Sequence, residues 1–364
     1  MINKQSNFYL FYYFWSVPCG FYIFGFFPAP YYLSFLLGVF FLTICGVKKI
    51  DINTFLLFFV NISYFSLLLI YSKVNVWSYY FIGILTFLLL VSLRGNLTIA
   101  QANSIICKTV KFSIALLSMD TILRFAFPRE AYLEKIQEQG HVDFIFYGYK
   151  HSFLFQDSNF IGLFALSIYF LVRNNINLFK YQKLIICLLI AILVLTFSRA
   201  AIISCTLVEF IILFTRSRLN FRSKVFIVMM LFLPVLYALL NIVSHSSDQS
   251  FESKFMLIHK FLKTFSEADL GQILFGWGLD NTRDHWGIAA HNLYNTLLLE
   301  TGLFGFCLVI VSILYCSMIN KRTKYHVLSL GIASLSFGLI FTPILIPLAL
   351  NIISNGGENK NAHY

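Results

Sequence analysis

Long apolar blocks, each followed by a short polar connection, set the pattern of this chain from Phe8 to Ile353. The blocks run to roughly 17 to 25 residues, the length an α-helix needs to cross a bilayer, and they lack the strict alternation and tight turns of a β-barrel. The pattern predicts helices near 8–27, 31–46, 52–71, 76–93, 108–127, 158–172, 184–198, 200–215, 225–244, 291–319 and 326–341. A last apolar run, 343–353, carries Pro343 and Pro347, so 326–353 reads either as one long tilted helix or as a hairpin returning the tail to the inner side. The expected fold is all-α, a polytopic integral membrane protein of about 11–12 transmembrane helices forming one domain over residues 1–364. The first block ends in Phe27-Pro28-Ala29-Pro30 without a small-residue cleavage site and is read as a retained helix.

Composition agrees. Of 364 residues, 59% are hydrophobic and only 12% charged, and the mean hydropathy is +0.77, too apolar for a soluble globular chain of this length. A formal net charge of +11 would suggest nucleic acid on a soluble surface, but its distribution points elsewhere and no nucleic-acid partner is expected. With the N-terminus inside, sixteen of the 27 basic residues, Lys49, Arg94, Lys108, Lys111, Arg173, Arg216 and Lys324 among them, fall in short connections on one side. Glu130, Asp157, Glu267, Asp269, Asp280 and Asp284 fall on the other. The seven cysteines lie in or beside apolar blocks with no CxxC pair, and no HExxH or other metal-ligand spacing occurs, so neither a metal nor a cofactor is expected.

Two outer connections exceed a simple turn, 128–157 and 245–290, and long loops of this kind place chemistry on the outer side. Within the second, Phe251, Phe255, Ile258, Leu262 and Phe265 share one helical face while Lys254, Lys260 and Lys263 lie elsewhere, which predicts an amphipathic helix in the headgroup layer. That loop then runs through Gly276-Trp277-Gly278, a tight turn and no nucleotide fingerprint, into His291-Asn292-Leu293-Tyr294 at the head of the tenth helix. Asn292 reads as an N-cap, and His291 either stays wet beside it or acts as a base for a hydroxyl nucleophile. Deeper on that helix lie Glu300, an acid at membrane depth that needs a partner or a proton, and Gly302 and Gly305, read as small residues for close packing. Thr196-Phe197-Ser198-Arg199 turns a helical hairpin at the same boundary; Arg199 either snorkels or aims its planar fork at diphosphate oxygens. Asp157 reads first as the cap of the sixth helix, and Lys254 and Arg283 as loop cations facing headgroups. Trp277, Trp286 and Tyr294 are aromatics that suit either sugar stacking or an interfacial belt.

The order of these motifs, Asp157-Ser158-Asn159, Thr196-Phe197-Ser198-Arg199, a large outer loop ending Leu274-Phe275-Gly276-Trp277-Gly278, then His291-Asn292 followed by Glu300 and Gly302, resembles the O-antigen polymerase and O-antigen ligase superfamily of bacterial envelope glycosyltransferases. The resemblance covers about Phe155 to Gly305. It implies metal-independent glycosyl transfer at the periplasmic face of the inner membrane, from an oligosaccharide carried on undecaprenyl diphosphate. It further implies Arg199 as a diphosphate clamp and His291 as an acceptor base, with Asp157, Lys254, Arg283, Trp277, Asn292 and Tyr294 as candidate substrate-binding residues. Lys254 stands where the family often has an arginine, which leaves the second clamp open between Lys254 and Arg283. A polymerase joining lipid-linked repeat units, with a chain-length regulator as candidate partner, is the expected activity. The alternatives are a ligase loading lipid A-core and, from another class, a flippase for the same lipid, which the absence of an internal repeat disfavours.

Overall fold

The computed structural model describes residues 35–40, 49–72, 79–129, 148–218, 220, 222–223, 249–279, 281–287, 292–336 and 342–354. The predicted helices 8–27 and 225–244, and His291 itself, lie outside these residues. The described chain is almost wholly helical: α1 (Ile52–Leu68), α2 (Tyr79–Ser92), α3 (Ile99–Ala126), α4 (Ser158–Asn174), α5 (Gln182–Leu195), α6 (Arg199–Arg216), α7 (Gln249–Glu267), α8 (Leu270–Phe275), α9 (Asn281–Trp286), α10 (Leu293–Met318), α11 (Lys324–Ala333) and α12 (Thr342–Ile353). The strand content among the described residues is a short antiparallel hairpin, β1 (His151–Ser152) with β2 (Gln156–Asp157), pairing His151 with Asp157.

Helices apolar all round belong inside a bundle, and the sequence of α2, Phe-Ile-Gly-Ile-Leu-Thr-Phe-Leu-Leu-Leu-Val from Phe81, is of that kind. The core accordingly forms where α12 packs between α2 and α4, with almost every side chain of Phe81–Val91, Ile161–Val172 and Ile344–Ile353 buried. α1, α3, α5, α6, α10 and α11 surround these three, and several present large apolar side chains outward. Examples are Phe59 and Leu67 on α1, Leu184 and Val194 on α5, Leu213 on α6, and Val311, Leu314 and Met318 on α10. Polar side chains do the reverse: Asn61 Nδ2 donates to Ser312 Oγ (2.9 Å) across α1 and α10, and Ser204 Oγ to the Ser329 carbonyl (2.5 Å) across α6 and α11. One described helix, Leu293–Met318, is long and apolar enough to cross a membrane; Ile52–Leu68, Gln182–Leu195 and others are shorter apolar helices.

Of the two expectations for 326–353, the hairpin is the one found. α11 stops at Ala333, runs through a 3₁₀ turn at Ser334–Ser336, and α12 returns so that Asn351 reaches His326 at the start of α11. A chain of hydrogen bonds fixes this return. Asn175 Nδ2 is held as a donor by the Leu171 carbonyl and so gives its other proton to Asn351 Oδ1 (3.2 Å). Asn351 Nδ2 must then donate to His326 Nδ1 (3.3 Å), leaving the proton on Nε2 to point at Ser167 Oγ (2.8 Å), whose own proton goes to the Ile344 carbonyl (2.6 Å). The Ser-His-Asn contact is therefore the wrong tautomer for a general base and works as a clasp among α4, α11 and α12. Asn320 Nδ2 adds α10 by donating to the Asn351 carbonyl (2.8 Å).

At this same end Asp51, the N-cap of α1, pairs with Arg94, and Cys107 Sγ lies 3.7 Å from the Leu178 carbonyl. Lys49, Arg94, Arg173, Lys321, Arg322 and Lys324 thus gather at one end of the bundle. Three boundaries differ from expectation. The fifth predicted helix begins at Ile99 instead of 108, because Thr98 and Gln101 form a capping box, so Lys108 and Lys111 ride on a helix and not in a connection. The tenth is interrupted: its backbone breaks at Gly302, inside the range Leu293–Met318. The eleventh ends at Ala333 and not at 341.

Candidate functional site

At the opposite end, the Thr196–Arg199 turn is held from three sides. Phe197 takes a left-handed backbone (φ 54°), a conformation an L side chain adopts only when its surroundings impose it. Below the turn, Gly162 on α4 leaves the space: a Cβ there would lie 2.5 Å from Ser198 Cβ. Beside it, Phe197 packs on Phe125 (6.2 Å between centroids), which stacks on Tyr149 (5.0 Å). Arg199 is the first residue of α6 and is exposed.

The third support was not anticipated. Asp120 and Arg124, one turn apart on α3, form an ion pair with both side chains wholly buried (Nε to Oδ2, 2.8 Å). Arg124 Nη1 donates to the carbonyls of Leu195 (3.1 Å) and Tyr149 (3.4 Å), and Nη2 to Thr121 Oγ1 (3.3 Å). Asp120 Oδ1 accepts from Ser152 Oγ (2.8 Å) and from the backbone N–H of Phe153 (2.8 Å) and Leu154 (3.2 Å). This pair ties the end of α3 to the end of α5 and to the β1–β2 hairpin. The segment 128–157, expected as a long outer connection, is thus fixed to the bundle over its last part, 148–157. The spacing Asp-x-x-x-Arg inside an apolar helix was the available signal. Beside the pair, His151 is buried, with its Nδ1 3.1 Å from the Gly148 carbonyl; that burial, with Arg129 and Arg124 close by, pushes its imidazole below its ordinary pKa.

Asp157 ends this hairpin and caps α4, its Oδ1 accepting from the Asn159 N–H (2.8 Å). Asn292 likewise caps α10 through the N–H groups of Tyr294 (2.9 Å) and Asn295 (3.3 Å). Both side chains therefore do structural work at helix starts, and both helices start at the end where Arg199 lies. The link runs through α11. Tyr294 Oη donates to the Gly331 carbonyl (2.7 Å), while α6 packs antiparallel on α11 and touches the 3₁₀ turn that follows it. In this structure the Tyr294 hydroxyl proton is committed to the Gly331 carbonyl.

Below Asn292, α10 is interrupted at Gly302 (φ 62°, ψ −173°). A break orphans the carbonyls of the preceding turn, and inside an apolar bundle each must find a donor. All three do. The Leu299 carbonyl accepts from Trp277 N–H (2.8 Å), that of Glu300 from Gly278 N–H (3.1 Å), and that of Thr301 from Tyr64 Oη (2.5 Å). The two backbones meet so closely that a Cβ at Gly276 (φ 79°) would sit 2.5 Å from the Glu300 carbonyl group, and one at Gly302 would overlap the Leu274 carbonyl. The glycines of the tenth helix thus serve a break as well as packing, and Glu300 is buried at it. The loop is also pinned to α1, where Leu279 N–H donates to Ser72 Oγ (2.8 Å) and Asn281 Nδ2 to the Tyr71 carbonyl (3.2 Å).

Over this break lies a small roof. Leu257 and Phe261 of α7 pack with Trp277, Trp286 and Leu299; Trp286 Nε1 donates to Thr264 Oγ1 (3.1 Å), and Lys260 Nζ to the Trp286 carbonyl (3.3 Å). Trp286 is 8% exposed, so it is a packing residue and offers no stacking face for a sugar. Trp277 is half-buried in the same cluster. Lys254 lies in α7 and Arg283 in α9, with side chains outside the described residues. Alongside, an apolar groove of about 440 Å³ opens between α10, α11 and α12, with Leu293, Tyr294 and Ser334 at its outer end and Leu345 and Leu348 behind. Among the described residues, no three His, Cys, Asp or Glu side chains come together as metal ligands. No family model matches the chain, and neither the curated proteins nor the solved structures contain a significant match to it.

Proposed function

We propose that this chain is a membrane-embedded glycosyltransferase that joins oligosaccharide repeat units carried on undecaprenyl diphosphate at the periplasmic face of a bacterial inner membrane. The observation that carries the reading is that the helix starts bearing Arg199, Asp157 and Asn292 lie at one end of the bundle, beside an apolar groove between α10, α11 and α12. The outward-facing Leu, Ile, Phe and Val of α1, α5, α6 and α10, set against inward Asn, Ser and His, support a lipid surround. The gathering of basic side chains at the far end supports an orientation with the site outside.

In this reading the hydrocarbon tail of the carrier lies in the groove and its diphosphate at the Arg199 turn. An acceptor hydroxyl attacks the anomeric carbon, the carbon–oxygen bond to the diphosphate breaks, and the leaving diphosphate keeps the electron pair. Arg199, always charged, stabilises that departing anion, and His291, next to the Asn292 cap, takes the hydroxyl proton.

Arg199→Ala and His291→Ala should each abolish long-chain polysaccharide while the protein still inserts in the membrane, and Arg199→Lys should be impaired because a point charge lacks the fork. A normal polysaccharide ladder from either alanine variant would remove that residue from the mechanism. Deletion of the gene should leave single repeat units on the surface; full-length polymer left on its carrier lipid would instead identify a ligase.

A further inference from the structure

The helix α7 has two apolar sides, and the roof uses only one. Leu257 is 3% exposed against Trp286 and Leu299, whereas Met256, Ile258 and Leu262 are 46%, 45% and 60% exposed. His259 and Lys263, both exposed, border the Ile258–Leu262 stripe along one edge and separate it from Met256. The short helix α8 repeats the pattern: Leu270 is 72% and Phe275 50% exposed, at a point where its backbone is fastened to the break in α10. Phe275 does not stand alone. Its ring stacks on Phe304 (5.3 Å between centroids, planes 24° apart), and Phe304 begins the exposed apolar strip that continues down α10 through Val311, Leu314 and Met318.

We infer that α7 and α8 are a two-point lipid anchor, seated in the outer leaflet by Ile258 and Leu262 on one helix and by Leu270 and Phe275 on the other. The occupant of this face is the bilayer itself, at the boundary of headgroups and acyl chains. Continuity is the argument: the Phe275–Phe304 stack joins α8 to a strip that faces lipid if the chain spans a membrane, and this inference rests on that part of the reading above. The Lys263 ammonium beside an apolar stripe suits anionic headgroups. The anchor would hold the roof at fixed depth over the break in α10 and so set the height at which a lipid-borne substrate meets Asn292 and Arg199.

The test uses the full chain in nanodiscs containing anionic phospholipid, with its native cysteines replaced and one cysteine returned at position 262, 270, 267 or 311 to carry an environment-sensitive fluorophore. Labels at Leu262→Cys and Leu270→Cys should be quenched by a spin label near the top of the acyl chain and shielded from aqueous iodide, while Glu267→Cys should show the opposite. Val311→Cys should be quenched by a label deep in the chain. If 311 is quenched and 262 and 270 respond only to iodide, the anchor is wrong and the membrane reading stands. If 311 also responds only to iodide, both fall. Self-quenching between two copies in one disc at 262, without quenching by the lipid label, would assign the face to a second chain and overturn the inference. Monodisperse elution of each labelled form shows that it has folded.

Discussion

Asp120→Asn is the most informative single change, because it removes one charge and no volume from a pair that no solvent reaches. In the parent, Oδ1 accepts three donors from the hairpin and Oδ2 accepts Arg124 Nε. A carboxamide has one acceptor and one donor end. Turned either way, it sets an N–H₂ against Arg124 or against Ser152, Phe153 and Leu154, and it leaves a buried guanidinium without its anion. Removing one partner of such a pair costs about 3–5 kcal/mol. Expressed as local opening, that is on the order of 10²- to 4 × 10³-fold, since about 1.4 kcal/mol is a factor of ten. The reporters are built in, because the amide protons of Phe153 and Leu154 are themselves the ones Asp120 holds. Hydrogen exchange of the intact protein, read by mass spectrometry on peptides covering 148–157 and 193–199, should speed up by that factor in the hairpin. The turn should follow through the loss of order at Arg124, which also holds the Leu195 carbonyl. If exchange over 153–154 stays within about threefold of the parent in a folded Asp120→Asn protein, the carboxylate does not hold the hairpin and the argument for a buried hub fails.

Three further outcomes are expected. Gly302→Ala forces a side chain onto a left-handed backbone and into the Leu274 carbonyl, about 1–3 kcal/mol for each effect, so the purified protein should melt several degrees lower; an unchanged melting temperature would mean that the break is not required. His326→Ala leaves Asn351 Nδ2 without its acceptor and empties a buried site, for about 2–4 kcal/mol, and should loosen α12 without altering exchange at the outer end; equal protection of α12 in parent and variant would dispose of the clasp. The hairpin should also respond to acid. The folded-state pKa of His151 lies below its ordinary value near 6.5, so the folded form binds fewer protons; its stability is complete above that pH and declines as pH falls toward the folded pKa. Proteolysis within 148–157 should therefore rise between about pH 7.5 and 5, and a His151→Gln protein should show a flat profile; matching profiles would exclude this residue as the cause.

Apolar blocks announced where helices lie because burial and lipid exposure both demand continuous hydrophobicity, and α1, α4, α5 and α6 begin and end close to the expected places. The blocks were silent on breaks. Nothing in the hydropathy of Leu293–Met318 separates a straight helix from one interrupted at Gly302, since what decides it is a second segment, Trp277-Gly278, arriving with two N–H groups from elsewhere in the chain. Capping was legible but local: Asp157 and Asn292 were readable as caps, and Thr98 with Gln101 was an equally open signature masked by the polar turns that follow. The Asp120–Arg124 pair could have been found from spacing alone. Its role could not, because the carbonyls it serves lie 25 and 71 positions away from Arg124. For α7, Ile258 and Leu262 of the expected face are exposed, while Phe265 of that face stacks on Phe261, which with Leu257 forms a second contact that no single-face reading contains.

The seam between α8 and the interrupted α10 has a practical corollary for anyone tagging this molecule. Residues 274 to 279 are a fixed-length splice, with Trp277 and Gly278 each matched to a rung on the facing backbone, so a reporter or epitope placed there would strip both rungs at once and take the upper half of α10 with them. The joint between Glu267 and Ala268, just ahead of the exposed cap Asp269, has no such matching among the described residues and is the place to cut, label or extend the segment that carries α7 and α8.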